Sequence, residues 1–490
     1  MEDKYIAAVD LGTWKTALTV AKVNGEDISI VYHGQAQSDG IRNSAVFNPK
    51  KAEEPLRQLI GEAEDELKIK IMQVVVGLPR CDVFQEVAKA KVDRTNPDES
   101  ITREEVENLK ALAQDEYPLE DEERQVLYGA VAQSFSSDED FQLLENDIIG
   151  VISRTFEGNF KLFVGRKSSV RYIDKTFNDL GIAIARKYFT PDVQAKALLT
   201  EDEMNGGVAL VDFGAGATSV TVYQGKILRH YAAVPFGGDA VTVDIASECG
   251  ISHRLAENIK YAFGACMPEK LQTLGEKTIQ INGSDTESLK QIPVRYLSEI
   301  ITARVKEILD AVLYEIQCSG LAENLRHGIV ITGGGARLAN IVGYIKEVSG
   351  YSVRIGRPRK KVSAAGCPGI FDPQAATSVG LILSAREDGL SDCIDPVELP
   401  VGKTPVGEVV LFGDGDTAET VPDIPAANPE ETESGGEATG NTLFPDPDDT
   451  GTTAPNPKPD PKPKPKKKSW LWVTWDKIIK TVDTVTDEMS

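Results

Sequence analysis

The chain has 490 residues and a formal net charge of −23. That length accommodates two or more domains, and so acidic a balance argues against a nucleic-acid binder, whose footprint is basic. Six cysteines, Cys81, Cys249, Cys266, Cys318, Cys367 and Cys393, fall in no paired or C-x-x-C spacing, so neither a zinc site nor a disulfide framework is suggested. The first residues carry no leader pattern, and no apolar run approaches the roughly 18 residues of a membrane span. A soluble cytosolic protein with reduced thiols is expected.

In chain order, YIAAVDLGTWK (5–15) is an apolar strand ending in Asp10, then a turn with Gly12, Thr13, Trp14 and Lys15, then a second apolar run over 17–23. Residues 28–33 read as a strand, 55–66 as a helix, and 74–78 as a buried strand stopped by Pro79. Residues 40–47 read as a turn with no chemistry. Thr102 and Glu105 have capping-box spacing for a helix to about 113, and 125–134, 147–151 and 160–164 read as strands. A helix over 168–180 and a strand over 182–188 lead into Thr190-Pro191-Asp192.

GVALVDFGAGATSVTVY (207–223) says the same thing as the opening stretch. A buried strand over 208–211 ends in Asp212, and an alternating strand follows from Thr218. Between them, residues as small as Gly214, Ala215, Gly216 and Ala217 let backbone N–H groups close in on an anion. Gly214 and Gly216 can take the positive φ such turns often need. Asp212 is then placed to hold a hydrated cation beside that anion. A plain hairpin is the alternative for either stretch alone, but two of them some 200 residues apart suggest two similar halves facing each other across a phosphate site. A third turn, Gly333-Gly334-Gly335-Ala336, follows a strand and opens a helix, whose first amides can touch a nucleotide. Its spacing fits neither a P-loop nor a dinucleotide fingerprint.

Beyond 243, Leu255, Ile259 and Ala262 form one apolar helical face with Glu257 and Lys260 off it. Residues 293–318 read as a long packed helix whose other face carries Arg295, Glu299, Arg304 and Lys306. After a last helix over 375–386 the composition changes. Residues 391–469 hold 14 of the 26 prolines, and up to Asp449 the only cation is Lys403, so a disordered acidic linker is expected, turning Pro- and Lys-rich at its end. In the final stretch Leu471, Trp475, Ile478, Ile479 and Val482 share one helical face, with Trp472 at its margin and Lys464, Lys466, Lys467 and Lys468 just before it. That is the pattern of an in-plane membrane anchor on anionic lipid; a helix docking into a partner's groove is the alternative.

The order Asp10-Leu11-Gly12-Thr13, Asp212-Phe213-Gly214-Ala215-Gly216 and Gly333-Gly334-Gly335-Ala336 resembles the phosphate-1, phosphate-2 and adenosine motifs of the actin, sugar-kinase and heat-shock-chaperone ATPases. Within that superfamily the chain is most similar to FtsA, the bacterial division actins, through Leu199 to Glu203, Val234 to Asp239, Ala256 to Lys260 and the amphipathic end. The resemblance covers about 4–390 and the last twenty residues. It implies an α/β actin-like fold of two similar halves around a nucleotide cleft, with an inserted subdomain and a disordered tail ending in a helix. The divisions expected are 1–83, the insertion 84–166, 167–195, 196–242, 243–320, 321–390, the linker 391–469 and the tail helix 470–490.

The same resemblance implies ATP and Mg²⁺, the metal held through water by Asp10 and Asp212. The phosphates would lie among Gly12, Thr13, Trp14, Lys15, Gly214, Ala215, Gly216, Ala217, Thr218 and Gly238, and the nucleoside against Glu257, Lys260 and the Gly333–Ala336 turn. Thr190 stands where active relatives carry Gln or Glu to position water. Thr190 and Asp212 are therefore the only catalytic candidates, and hydrolysis is expected to be weak or absent. The resemblance further implies self-association into filaments, other division proteins as partners, and the C-terminal peptide of the tubulin-like FtsZ on the Arg295, Glu299 and Arg304 face. It places the chain on the cytoplasmic face of the membrane at the septum. A small-molecule kinase would need a catalytic carboxylate and has no use for a tethered helix. A chaperone would carry a β-sandwich after 390, and a pilus-assembly actin shares the insertion but lacks reason for the tail.

Overall fold

The computed structural model describes residues 4–25, 27–281, 290–358, 362–364, 366–390 and 393–395. The tail-helix residues Leu471, Trp472, Trp475, Ile478, Ile479 and Val482, and all of the linker beyond Asp395, lie outside the described residues.

Two sheets repeat one plan. In the first, Lys4–Leu11, Lys15–Asn24 and Asp27–Gln37 form an antiparallel meander. Gln73–Gly77 then adds in parallel to the free side of the first strand, Ala183–Tyr188 lies beyond it, and Ser363–Ala364 closes the opposite edge. In the second, Val208–Phe213, Thr218–Gln224 and Ile227–Val234 form the meander, and Ile329–Thr332 and Val353–Ile355 add in parallel in the same relative positions.

The strand period of two explains how these sheets stack. Ile6 and Ala8 of the first sheet and Val208 and Leu210 of the second share one core with Val193 of the helix Thr190–Leu198 and Val379 and Ile382 of the helix Ala376–Glu387. The alternate residues Ala7 and Val9 pack outward under the helices Pro49–Leu67 and Lys167–Leu180, and Ala209 and Val211 under Gly238–Cys249 and Val294–Cys318. The described body is thus layered as helices, sheet, two central helices, sheet, helices. The central pair cross closely: a Cβ at Gly380 would lie 2.0 Å from the Val193 carbonyl oxygen, so glycine is required there.

Residues between the first sheet's parallel strands build a separate three-stranded sheet, with Thr155–Arg166 between Phe84–Asp93 and Gln125–Ser136. The helix Arg103–Asp115 packs on it over Phe135 and Phe160, whose rings meet edge to face at 5.9 Å. Its capping box is formed: Thr102 Oγ1 accepts from the Glu105 amide at 3.2 Å and the Glu105 carboxylate accepts from the Thr102 amide at 2.8 Å.

Three expectations are corrected. Residues 147–151 are not a strand, because Glu145–Ile148 turns as a short helix that buries Ile148. The first helix starts at Pro49, where Asn48 caps the Lys51 amide and proline fits the first position, and runs through Pro55. The chain also stays on the body past 391: Cys393 is buried, its carbonyl accepts from the Met72 amide at 3.2 Å, and Ile394–Asp395 pairs with Lys70–Ile71.

Candidate functional site

The two meanders end in matching turns. The Gly12 amide donates to the Lys15 carbonyl at 3.1 Å, and the Gly214 amide donates to the Ala217 carbonyl at 3.0 Å. A Cβ at Gly12 or Gly214 would stand 2.6 or 2.7 Å from that same carbonyl oxygen. Neither Gly214 nor Gly216 is in the positive-φ region, so these glycines serve close approach and not a left-handed turn. A Cβ at Gly216 would lie 2.7 Å from Thr13 Oγ1; the two turns face each other at contact distance.

Asp10 shares strand parity with Ile6 and Ala8, and Asp212 with Val208 and Leu210, so both carboxylates fall on the side of the central helices. There Gln194, one turn into the helix Thr190–Leu198, donates from Nε2 to Asp212 Oδ2 at 2.5 Å and to Thr377 Oγ1 at 2.9 Å. Arg80, just past the strand Gln73–Gly77, forms an ion pair through an η-nitrogen with the same Asp212 oxygen. The turn after Ile329–Thr332 presses on this group: Gly333 has φ +83°, and a Cβ there would lie 2.3 Å from Asp212 Oδ1. From the outer helices, Lys260 Nζ meets Glu257 at 2.7 Å and donates to the Gly238 carbonyl at 2.7 Å.

Together these enclose a cavity of about 310 Å³, the size range of a small-molecule site. Its walls take Asp10, Gly12, Thr13, Trp14 and Lys15 from one half and Asp212, Gly214, Ala215, Gly238, Glu257, Lys260, Gly333, Gly334 and Gly335 from the other. Burial pushes the Asp10 carboxyl up, opposed by the nearby charges of Arg80 and Lys15. Burial pulls the Lys15 ammonium down to about 8, with Asp10 and Asp372 opposing. Lys15 Nζ is buried with no hydrogen-bond partner. A buried cation without a partner is costly, and an anion in the cavity would supply one, so the residues present fit a phosphate-bearing ligand. For a divalent ion the fit is partial, since Asp10 is open to it while Asp212 is already engaged by Arg80 and Gln194.

Other expected residues are placed differently. Ala217, Thr218 and Ala336 are buried behind the walls, with the Thr218 hydroxyl donating to the Phe236 carbonyl, and Gly216 acts only through its contact with Thr13. Thr190 is buried and its hydroxyl donates to the Leu78 carbonyl, so it is committed to the backbone beneath the cavity. The turn at 40–47 is not without a role: Asn43 and Ser44 have positive φ, the Ser44 amide donates to Thr13 Oγ1 at 2.9 Å, and Ser44 lines the cavity.

Sequence reasoning missed Arg80, Gln194, Thr377, Arg337 and Tyr261, all on the wall. Arg80 carried a signal, a lone charge directly after an apolar strand and its breaker, and Gln194 another, a polar residue amid Val193, Ala195 and Ala197. Arg304 is engaged within the chain by Asp244 at 2.5 and 2.9 Å and by Glu307 at 2.7 Å. Arg295 and Glu299 are exposed, 3.8 Å apart. Among the described residues no helix is long and apolar enough to cross a membrane.

The family model described as cell division protein FtsA matches residues 209–380. FtsA of Neisseria meningitidis is 29% identical over 398 residues, 78% of this chain and 91% of that protein. FtsA of Bacillus subtilis is 24% identical over 380 residues, 78% and 83% of the two chains. Among solved structures, one from a PilM–PilN type IV pilus biogenesis complex superposes with a TM-score of 0.55 at 15% identity, covering 77% of this chain and 98% of that one.

Proposed function

Since the chain is a relative of the FtsA cell division proteins and has the actin-like ATPase fold, we propose that it binds ATP between its two halves, polymerises, and tethers FtsZ filaments to the cytoplasmic membrane at the division septum. Later division proteins would be recruited to the same assembly. The observation that carries the nucleotide reading is Lys15, a buried and unpartnered cation between two matched glycine turns. The Gly12 to Lys15 and Gly214 to Ala215 turns would hold the phosphates, and the Gly333–Gly335 turn, Glu257, Lys260 and the exposed Tyr261 the nucleoside. Mg²⁺, when bound, neutralises phosphate charge; Asp10 is the carboxylate free to hold it through water. With Thr190 buried on a carbonyl and the Gln194 amide nitrogen committed to Asp212 and Thr377, Gln194 can orient a water only through its Oε1, and turnover is weak.

FtsZ binding is assigned to the exposed part of the helix Val294–Cys318 around Arg295 and Glu299, where an acidic, apolar peptide would meet an exposed guanidinium that has only a loose ion pair with Glu299 at 3.8 Å. Arg304 supports that face indirectly by holding it to Asp244. The last twenty residues supply the tether. Each large apolar side chain on that face is worth about 1.5–3 kcal/mol when fully withdrawn from water, less at a headgroup surface. One copy therefore binds weakly, and a filament multiplies it. The likeness to the pilus protein reaches the fold and no further, while the sequence relatives are division proteins. The test is pelleting of FtsZ with anionic vesicles in the presence of the full chain and ATP. FtsZ should pellet with the full chain and stay in solution when residues from Trp470 onward are deleted, while ATP binding is unchanged. Equal pelleting of FtsZ by the truncated chain contradicts the tether.

A further inference from the structure

Resting on the nucleotide reading above, we propose that Arg80 is a phosphate-binding residue of the cleft that supplies part of the positive charge usually left to a divalent cation. It comes from the first half, Asp212 from the second, and their ion pair spans the cavity wall with both side chains almost wholly buried, 11% and 3% exposed. Its backbone is anchored by the Tyr231 hydroxyl, which donates to the Arg80 carbonyl. Tyr231 is itself fixed edge to face against Phe163 and Phe189 at 6.1 and 5.1 Å. The guanidinium is therefore a built part of the wall.

The charges on that wall show what it does. Lys260 is matched by Glu257 at 2.7 Å, and Arg337 lies over the Tyr261 ring at 5.3 Å, near enough to Lys15 to help lower its pKa. Asp372, which also acts on Lys15, has Arg357 at 3.9 Å, and the charges at the two aspartates themselves are Lys15 and Arg80 against Asp10 and Asp212. Without Arg80, Asp212 would stand at the wall without its ion-pair partner, and a polyphosphate beside it would call for a metal ion to offset the repulsion. With it, Asp212 is already neutralised. A guanidinium is planar, stays charged when buried, and offers five N–H donors in a fork, so it can keep one nitrogen on Asp212 and turn others to phosphate oxygens. Asp212 then positions Arg80, where a metal-dependent site would have it position hydrated metal.

The consequence is a nucleotide site with shallow Mg²⁺ dependence. The test is ATP titration calorimetry on the full chain, in excess Mg²⁺ and in EDTA, for the unaltered protein, Arg80→Met and Arg80→Lys. In the unaltered protein the two dissociation constants should differ by less than about tenfold. Arg80→Met should lose affinity chiefly in EDTA, widening the ratio by about tenfold or more, the worth of one charged hydrogen bond. Arg80→Lys, which keeps a charge, should stay within about threefold of the unaltered ratio. If circular dichroism shows Arg80→Met unfolded, Arg80→Gln makes the same comparison with donors but no charge. An unchanged ratio in the uncharged variant overturns the role of Arg80 and leaves the nucleotide site standing. Failure of the unaltered protein to bind ATP in either condition overturns the nucleotide reading and this inference with it.

Discussion

Lys15 sets the pH behaviour of the cleft. With its ammonium pulled down to about 8 by burial, the lysine is charged below that pH and loses its proton as pH rises through it. An anion binds the charged form, so affinity for ATP is flat in this group's contribution below about pH 7 and falls above 8, by up to about tenfold per unit. Binding near pH 8 takes up a proton, visible as a dependence of calorimetric heat on the buffer's ionisation enthalpy. Lys15→Met should bind more weakly and lose that dependence; a variant that keeps it points to another group. Gly333 tests the wall differently. Alanine at a positive φ costs about 1–2 kcal/mol in backbone strain alone, which is all that Gly350→Ala should show, since its φ is +73° with open space around the Cβ. Gly333→Ala must in addition displace Asp212, so its melting temperature should fall further and ATP binding should weaken; equal losses in the two variants would separate the turn from the site.

At the scale of elements, the inserted subdomain is held by a local device that can be tested apart from the cleft. Arg94, buried, donates to both Glu105 oxygens at 2.8 and 3.1 Å and to the Glu99 and Ser153 carbonyls, so the capping glutamate also neutralises a buried cation and is itself held below the usual carboxylate range. Thr102→Ala removes the cap for about 1 kcal/mol. Glu105→Ala strands Arg94 as well and should cost about twice that or more, discounted because the carboxylate is partly solvated. Hydrogen exchange should report both as faster opening of Arg103–Asp115 and its sheet, with the two glycine turns unaffected; loss of protection throughout would make the insertion part of one cooperative body.

The elements that were readable from sequence, the two hairpins and the strands before each glycine turn, are those whose apolar runs and turn residues are local. The helix beginning at Pro49 starts six residues before the expected 55, because a proline reads as a helix start. In the structure, Pro55 sits inside the helix on its buried face. The Asp10, Gly12, Lys15, Asp212 and Gly333 cluster could be inferred because each motif carries its own strand and turn. Arg80 and Gln194 stand out in the sequence only as polar residues beside apolar ones; their roles exist once the two sheets bring them to the same carboxylate oxygen, a contact between residues 80, 194 and 212 that no local pattern encodes.

For the whole molecule, the repeated sheets make one cavity out of segments far apart in the chain, and the core shared by both sheets and the two central helices holds them in register. A ligand bridging the turns must therefore act on three separated segments together. The most direct measurement is amide hydrogen exchange of the full chain with and without ATP and Mg²⁺, read peptide by peptide. Protection should rise together at residues 11–15, 213–217 and 333–336, with little change in the sheet of the inserted subdomain. Protection confined to one half, or none at any of the three turns at saturating ATP, would contradict a nucleotide held between the halves.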